Sequence, residues 1–185
     1  MFSKVPALRG RLGSSPKLSV IEYTDRYLRT PLTARLLLES LRYLKSEFPN
    51  AIADDTEVIV TTTPVESGDR RGYPTAFSHD WRRGGDRQAV IESAAATLGF
   101  SITFKEVERR RLAHHRGLTL NWGTDLSWKM RLDEGFGFLA ETSRSDSFPF
   151  ESNPASQAAK LFKGRLHVDR RVALPTQFYV QHIAN

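Results

Sequence analysis

The sequence predicts an α/β fold, a mixed β-sheet with helices packed on it. Two patterns carry that prediction. Short apolar, Val/Ile-rich runs at 18–23, 57–63 and 101–107 alternate with two helix-length amphipathic segments, which is the order of β-α-β units. Between residues 113 and 139 the pattern changes to period two, with Leu118/Leu120/Trp122, then Trp128/Met130/Leu132, then Phe136/Phe138. Such alternation marks half-buried strands, here a strand pair followed by a Gly-rich exit.

Residues 1–17 contain Gly10, Gly13, Ser14, Ser15 and Pro16 and read as a basic, flexible N-terminal segment. One domain is expected over 18–185. It opens with LSVIEY at 18–23, a buried strand by its length and β-branched content. Thr30 is an N-cap candidate with Pro31 at the first helical position. Leu37, Leu41, Leu44 and Phe48 then form one helical stripe that Pro49-Asn50 stops. EVIVTTT at 57–63 is a second strand. The polar stretch from Pro64 to about Gly85 is a long loop, with Arg70, Arg71, Arg82 and Arg83 set among Asp69, Asp80 and Asp86.

Asp86 to Leu98 is a second helix with Val90, Ala94 and Leu98 on one stripe and Gly99 as its C-terminal cap. Ser101–Val107 is a third strand. The strand pair turns at Gly123-Thr124-Asp125. Beyond Leu139 a polar loop, a short helix from Asn153-Pro154 to about Phe162, and a final strand pair at 166–174 and 177–183 complete the expected order.

The bulk composition excludes several classes. There is no Cys, so disulfides and thiolate metal sites are excluded, and the composition suits a reducing cytoplasm. No apolar run of 18 residues and no apolar leader are present, so neither a transmembrane helix nor a signal peptide is expected. The formal net charge is +6. Lys4, Arg9, Arg11 and Lys17, with no acid among residues 1–17, supply most of it, so the body is nearly balanced. A basic segment of this kind suits an anionic partner or is simply a solvated leader.

Candidate chemistry concentrates where Arg109-Arg110-Arg111 runs into His114-His115-Arg116. On a strand, residues two apart face the same way, so His114 and Arg116 share a side. Asp25 and Arg26 stand at the carboxyl end of the first strand, where open α/β sheets bind ligands, or else form a local ion pair that fixes the loop. Lys129 and Arg131 share the face opposite Trp128, Met130 and Leu132. Asp133 and Gly135 form a turn at the edge of the same region. No H-E-x-x-H or H-x-H spacing supports a metal site, and no cofactor motif is present.

His114-x-Arg116-x4-Asn121 resembles the H-x-K-x4-D motif of phospholipase D-like domains. The stretch from Thr124 to Phe136 resembles a degenerate branch of that superfamily, as does Asp25-Arg26-Tyr27-Leu28 after the first strand. That branch includes the C-terminal domains of MIT-domain proteins and domains beside helicases of bacterial genome-defence systems. The resemblance spans about Leu18 to Leu139. It implies a phospholipase D-like fold and a site in which His attacks phosphorus while Lys or Arg neutralises phosphate charge. Here Arg replaces Lys, Asn replaces Asp, and Glu134 and Gly137 depart from the branch pattern. His167-x-Asp169 lacks the cation of a second half-motif.

The expectation is therefore a phosphate-backbone binder, nucleic acid rather than lipid, acting as an accessory module of a bacterial genome-defence or DNA-processing complex. His114, Arg116, Lys129 and Arg26 would hold phosphate, Arg109, Arg110 and Arg111 would form a nucleic-acid rim, and Asp133 and Gly135 would shape the pocket. The alternatives are a homodimeric phosphodiesterase or nuclease that uses His114 as its catalytic residue, a protein–protein scaffold, and an anionic-membrane adaptor.

Overall fold

The structure, a computed structural model, describes residues 5–28, 31–65, 81, 84–123, 126–132, 139–141, 155, 158–159, 162, 166–168 and 178–184. Its elements are α1 (Pro6–Leu12), β1 (Leu18–Asp25), α2 (Pro31–Glu47), β2 (Ile52–Thr62), α3 (Gly84–Thr97), β3 (Ser101–Glu106), β4 (Arg116–Asn121), β5 (Leu126–Leu132), β6 (Leu139–Glu141), β7 (Leu166–Val168) and β8 (Phe178–Ala184). Six strands form one mixed sheet in the order β3-β2-β1-β4-β5-β8. β1, β2 and β3 are parallel, while β4, β5 and β8 continue the sheet antiparallel. The α/β expectation is met, and no helix among the described residues is long and apolar enough to cross a membrane.

The sheet is two-sided in chemistry because side chains alternate along each strand. Ile21 and Tyr23 of β1, Val58 and Val60 of β2, Leu118 and Leu120 of β4 and Met130 of β5 are buried. They share one core with Leu37, Leu41 and Leu44 of α2 and Val90, Ile91 and Ala94 of α3. Glu22, Glu57, Thr103, Lys105, Lys129 and Arg131 alternate with that set and are exposed.

The apolar stripe of α2 lies where the spacing places it, and a 3-10 turn at Pro49–Ala51 follows the helix. Thr30, the expected N-cap, is outside the described residues, as are the Pro64–Gly85 loop from 66 to 80 and the turn residues Thr124 and Asp125. Gly99 takes a positive φ of 75° just beyond α3, as a C-terminal cap requires. β2 begins five residues earlier than the apolar run suggests. Its extension IADDT has poor β-propensity, yet Ile52 pairs with Leu18, and Thr56 Oγ1 donates to the Leu18 carbonyl while accepting the Ala53 N–H.

Two parts of the chain differ from the sequence reading. Residues 6–12 are not a loose leader: Pro6 starts a helix, and Leu8 and Leu12 are fully buried in the core. Arg11 also lies over the Trp122 ring, 5.2 Å from its centroid. Gly10 and Gly13 give the segment linker composition, but two leucines four apart make one apolar stripe, and burial outweighs composition. The strands near the C-terminus do not pair with each other. β7 pairs with β6 in a small second sheet, and β8 adds to β5 at the edge of the main sheet. The edge of β5 offers seven residues of ladder to β8, whereas β7 spans only three.

Leu12→Ala should lower stability by about 2–5 kcal/mol, the range for truncating a buried leucine. Urea unfolding of the full chain checks this, and a change below about 0.5 kcal/mol, typical of surface positions, would show that α1 is not seated in the core.

Candidate functional site

The strand order reverses direction of growth at β1. β2 and β3 lie on one side of it, and β4 joins on the other. β1 is thus the strand at which the parallel and antiparallel halves of the sheet join. Because β4 runs antiparallel to β1, its first residue, Arg116, enters beside the last residue of β1, Asp25.

Asp25 is fully buried and saturated with donors. Arg116 Nε donates to Oδ2 at 2.8 Å, Tyr23 Oη donates to the same oxygen at 3.0 Å, and the Tyr27 backbone N–H donates to Oδ1 at 2.7 Å. The last bond closes an Asx turn, which swings the chain out of β1. Burial works against a charge on Arg116, but Asp25, with Tyr23 and Tyr27, outweighs it and holds the guanidinium above its ordinary pKa. Burial first, then the Asp25 charge, pushes the Tyr23 hydroxyl well above the usual tyrosine range. Asp25 therefore pairs with Arg116 and not with Arg26 in a local loop contact. Sequence distance hid this partner, which lies 91 residues away.

Tyr27 carries the network outward. Its hydroxyl is 2.8 Å from Nδ1 of the exposed His114, and the two rings are tilted at 44°. The Asp25-Arg26-Tyr27-Leu28 segment thus divides its labour: Asp25 anchors, Tyr27 meets His114, and Leu28 is buried in the core. Arg26 is half-buried, its carbonyl accepts from Thr63 Oγ1 at 3.2 Å, and its Nε is buried with no hydrogen-bond partner.

Behind this end of the sheet, Arg87 of α3 is fully buried. It donates to the carbonyls of Leu28 and Thr63 and to Glu106 Oε1 at 2.8 Å, so one side chain ties the ends of all three parallel strands. Burial disfavours its charge, and Glu106 and Asp25 act against that. Reading the sequence missed both Arg87 and the Tyr27–His114 contact. Arg87 looks like any charged residue at the start of a helix, and its one signal is that it lies three residues before Val90, in line with the apolar stripe of Val90 and Ala94.

The other expected residues divide. Arg109, Arg110 and Arg111 form an exposed 3-10 turn just before His114, and Glu108 pairs with Arg110 at 2.8 Å and with Arg111 at 3.6 Å. Lys129 does not converge on His114. It sits opposite Thr119 and on the other sheet face from Met130, whereas Arg116 shares the face of Leu118 and Met130. Asn121 lies five residues along β4 from Arg116, roughly 17 Å away, and its Oδ1 accepts the Gly123 N–H in a turn. Asp133 and Gly135 are outside the described residues. Among those residues no group of three or more His, Asp or Glu side chains is placed to hold a metal ion.

A family model described as the C-terminal domain of the DEAD/DEAH box helicase YjiV matches residues 1–182. The chain belongs to that family. The match includes α1, in keeping with the seating of that helix in the core of this YjiV-type C-terminal domain. No curated protein and no solved structure matches the chain.

Asp25→Ala should cost about 3–5 kcal/mol by leaving Arg116 without its buried counter-charge. Tyr23→Phe should cost about 1 kcal/mol at neutral pH and also change the alkaline limb. The folded chain keeps the Tyr23 proton where the unfolded chain releases it, so this contribution is complete below about pH 10 and is lost as pH rises above it, at up to about 1.4 kcal/mol per pH unit. Denaturation at pH 9 and 11 should therefore show a smaller loss in Tyr23→Phe than in wild type, and equal losses would remove Tyr23 from this account.

Proposed function

We propose that this domain binds the phosphate backbone of a nucleic acid at the β1–β4 end of its sheet, as an accessory module of a helicase. The observation that carries the reading is that His114, held by Tyr27, follows three residues after the end of an exposed arginine turn. The family's helicase context supports the partner class, because the family is described as the C-terminal domain of a DEAD/DEAH box helicase. Arginine guanidinium groups suit phosphate oxygens because their charge is permanent and their donors are forked.

On this reading His114 and Arg109–Arg111 touch backbone, and Arg116 is chiefly the buried support beneath them. Arg26 borders the same end, and Lys129 adds positive charge on the opposite face. The domain comprises 18–185 with α1 packed on it. We further read the fold as phospholipase D-like. The support is that the two segments resembling that superfamily, Asp25–Leu28 and His114–Arg116, meet through two direct side-chain contacts. A role in genome defence and a place in the cytoplasm follow the same line of resemblance.

Binding of fluorescent single- and double-stranded DNA and RNA across a salt series tests the proposal. Log affinity should fall linearly with log salt, by about 0.9 per phosphate neutralised on duplex DNA. Replacing Arg109, Arg110 and Arg111 by Ala should lower that slope by about one to three units, and His114→Ala should weaken binding at every salt concentration. No binding at about 50 mM salt, where backbone contacts are strong, would end the nucleic-acid reading. Cleavage of the probe in the same tubes would replace it with phosphodiester hydrolysis.

A further inference from the structure

Tyr27 joins the buried half of the site to its exposed half. Asp25 Oδ1 holds its backbone N–H, and its hydroxyl meets His114 Nδ1. A neutral imidazole has one N–H and one bare nitrogen, and the hydrogen bond made by one nitrogen decides the state of the other. We infer that Tyr27 is a positioning residue that holds neutral His114 with its proton on Nε2, so that the site receives an anionic oxygen by donating a hydrogen bond and not by nucleophilic attack. For the ligand class this rests on the phosphate reading above. For the tautomer it rests on the Tyr27–His114 geometry alone.

The direction of the Tyr27–His114 bond follows from the chemistry of the two groups. A phenol is the stronger donor of the pair, and a bare imidazole nitrogen is the stronger acceptor. A hydroxyl at 2.8 Å from Nδ1 is therefore best used as O–H to nitrogen. With Nδ1 accepting, the proton of the neutral ring resides on Nε2. His114 is exposed, and an N–H there can meet a phosphate oxygen. A nucleophilic histidine needs the reverse arrangement, with a bare Nε2.

The arrangement is read directly by long-range 1H–15N correlation on the labelled full chain at about pH 8, where imidazole is ordinarily neutral. His114 should show its proton on Nε2 with Nδ1 accepting, and Tyr27→Phe should move it toward a mixture of tautomers. Affinity for a short fluorescent single-stranded DNA supplies the second measurement. His114→Ala should weaken binding about tenfold, the loss of one charge-assisted hydrogen bond. His114→Gln places an amide N–H near the Nε2 position and should stay within about threefold of wild type. A proton on Nδ1 in wild type overturns the assignment. Gln as weak as Ala overturns donation as the mode of binding. An Nε2 proton lost to a mixture in Tyr27→Phe, with no DNA bound by wild type, supports the positioning role and removes the phosphate reading.

Discussion

A buried carboxylate tolerates its surroundings only when its oxygens are occupied, and Asp25 meets that constraint with three donors from three places. One is two residues back on its own strand, one is two residues ahead in the loop, and one is the first side chain of β4. Losing Arg116 would leave the carboxylate without its counter-charge in a low-dielectric interior, at a cost of several kcal/mol, whereas losing one neutral donor costs about 1 kcal/mol. The constraint therefore acts on geometry. It requires β4 to arrive beside β1 with Arg116 inward, and it requires the chain to turn after Asp25 so that the Tyr27 N–H comes back.

Arg87 applies the same logic from the other side. Its guanidinium donates to two carbonyls beyond the strand ends and to Glu106, so α3 is tied to the loops that follow β1 and β2 and to the end of β3. Backbone carbonyls just past a strand have no ladder partner, and a buried arginine satisfies two of them at once. The two charged residues thus tie one end of the sheet together, on a scaffold whose core cluster adds Tyr23, Phe100, Trp122, Met130 and several alanines to its leucines, isoleucines and valines. His114 and the arginine turn stand at this tied end of the sheet.

The sheet has consequences for how a ligand would be met. Its apolar face is sealed by α2, α3 and α1, while the alternating face carries Glu22, Glu57, Lys105, Lys129 and Arg131 in both signs. Both signs of charge stand on that face, whereas residues 109–111 are three exposed arginines close to His114 in the chain, with Glu108 paired to two of them.

The sequence by itself determined the elements that rest on local periodicity. β1, α2, α3, β3 and the β4–β5 hairpin follow from apolar spacing and from the residues that stop it, because a stripe at 3.6 or 2 residues must face a core wherever the chain goes. It also marked Asp25–Leu28 and His114–Arg116 as unusual. Only the tertiary structure decided that these two segments touch and that Asp25 pairs with Arg116 and not its neighbour. The same holds for the partner of β8 and for the burial of Arg87. Each of these depends on which strands become neighbours. That choice is made by total burial and ladder length over the whole chain, and no window of adjacent residues contains it.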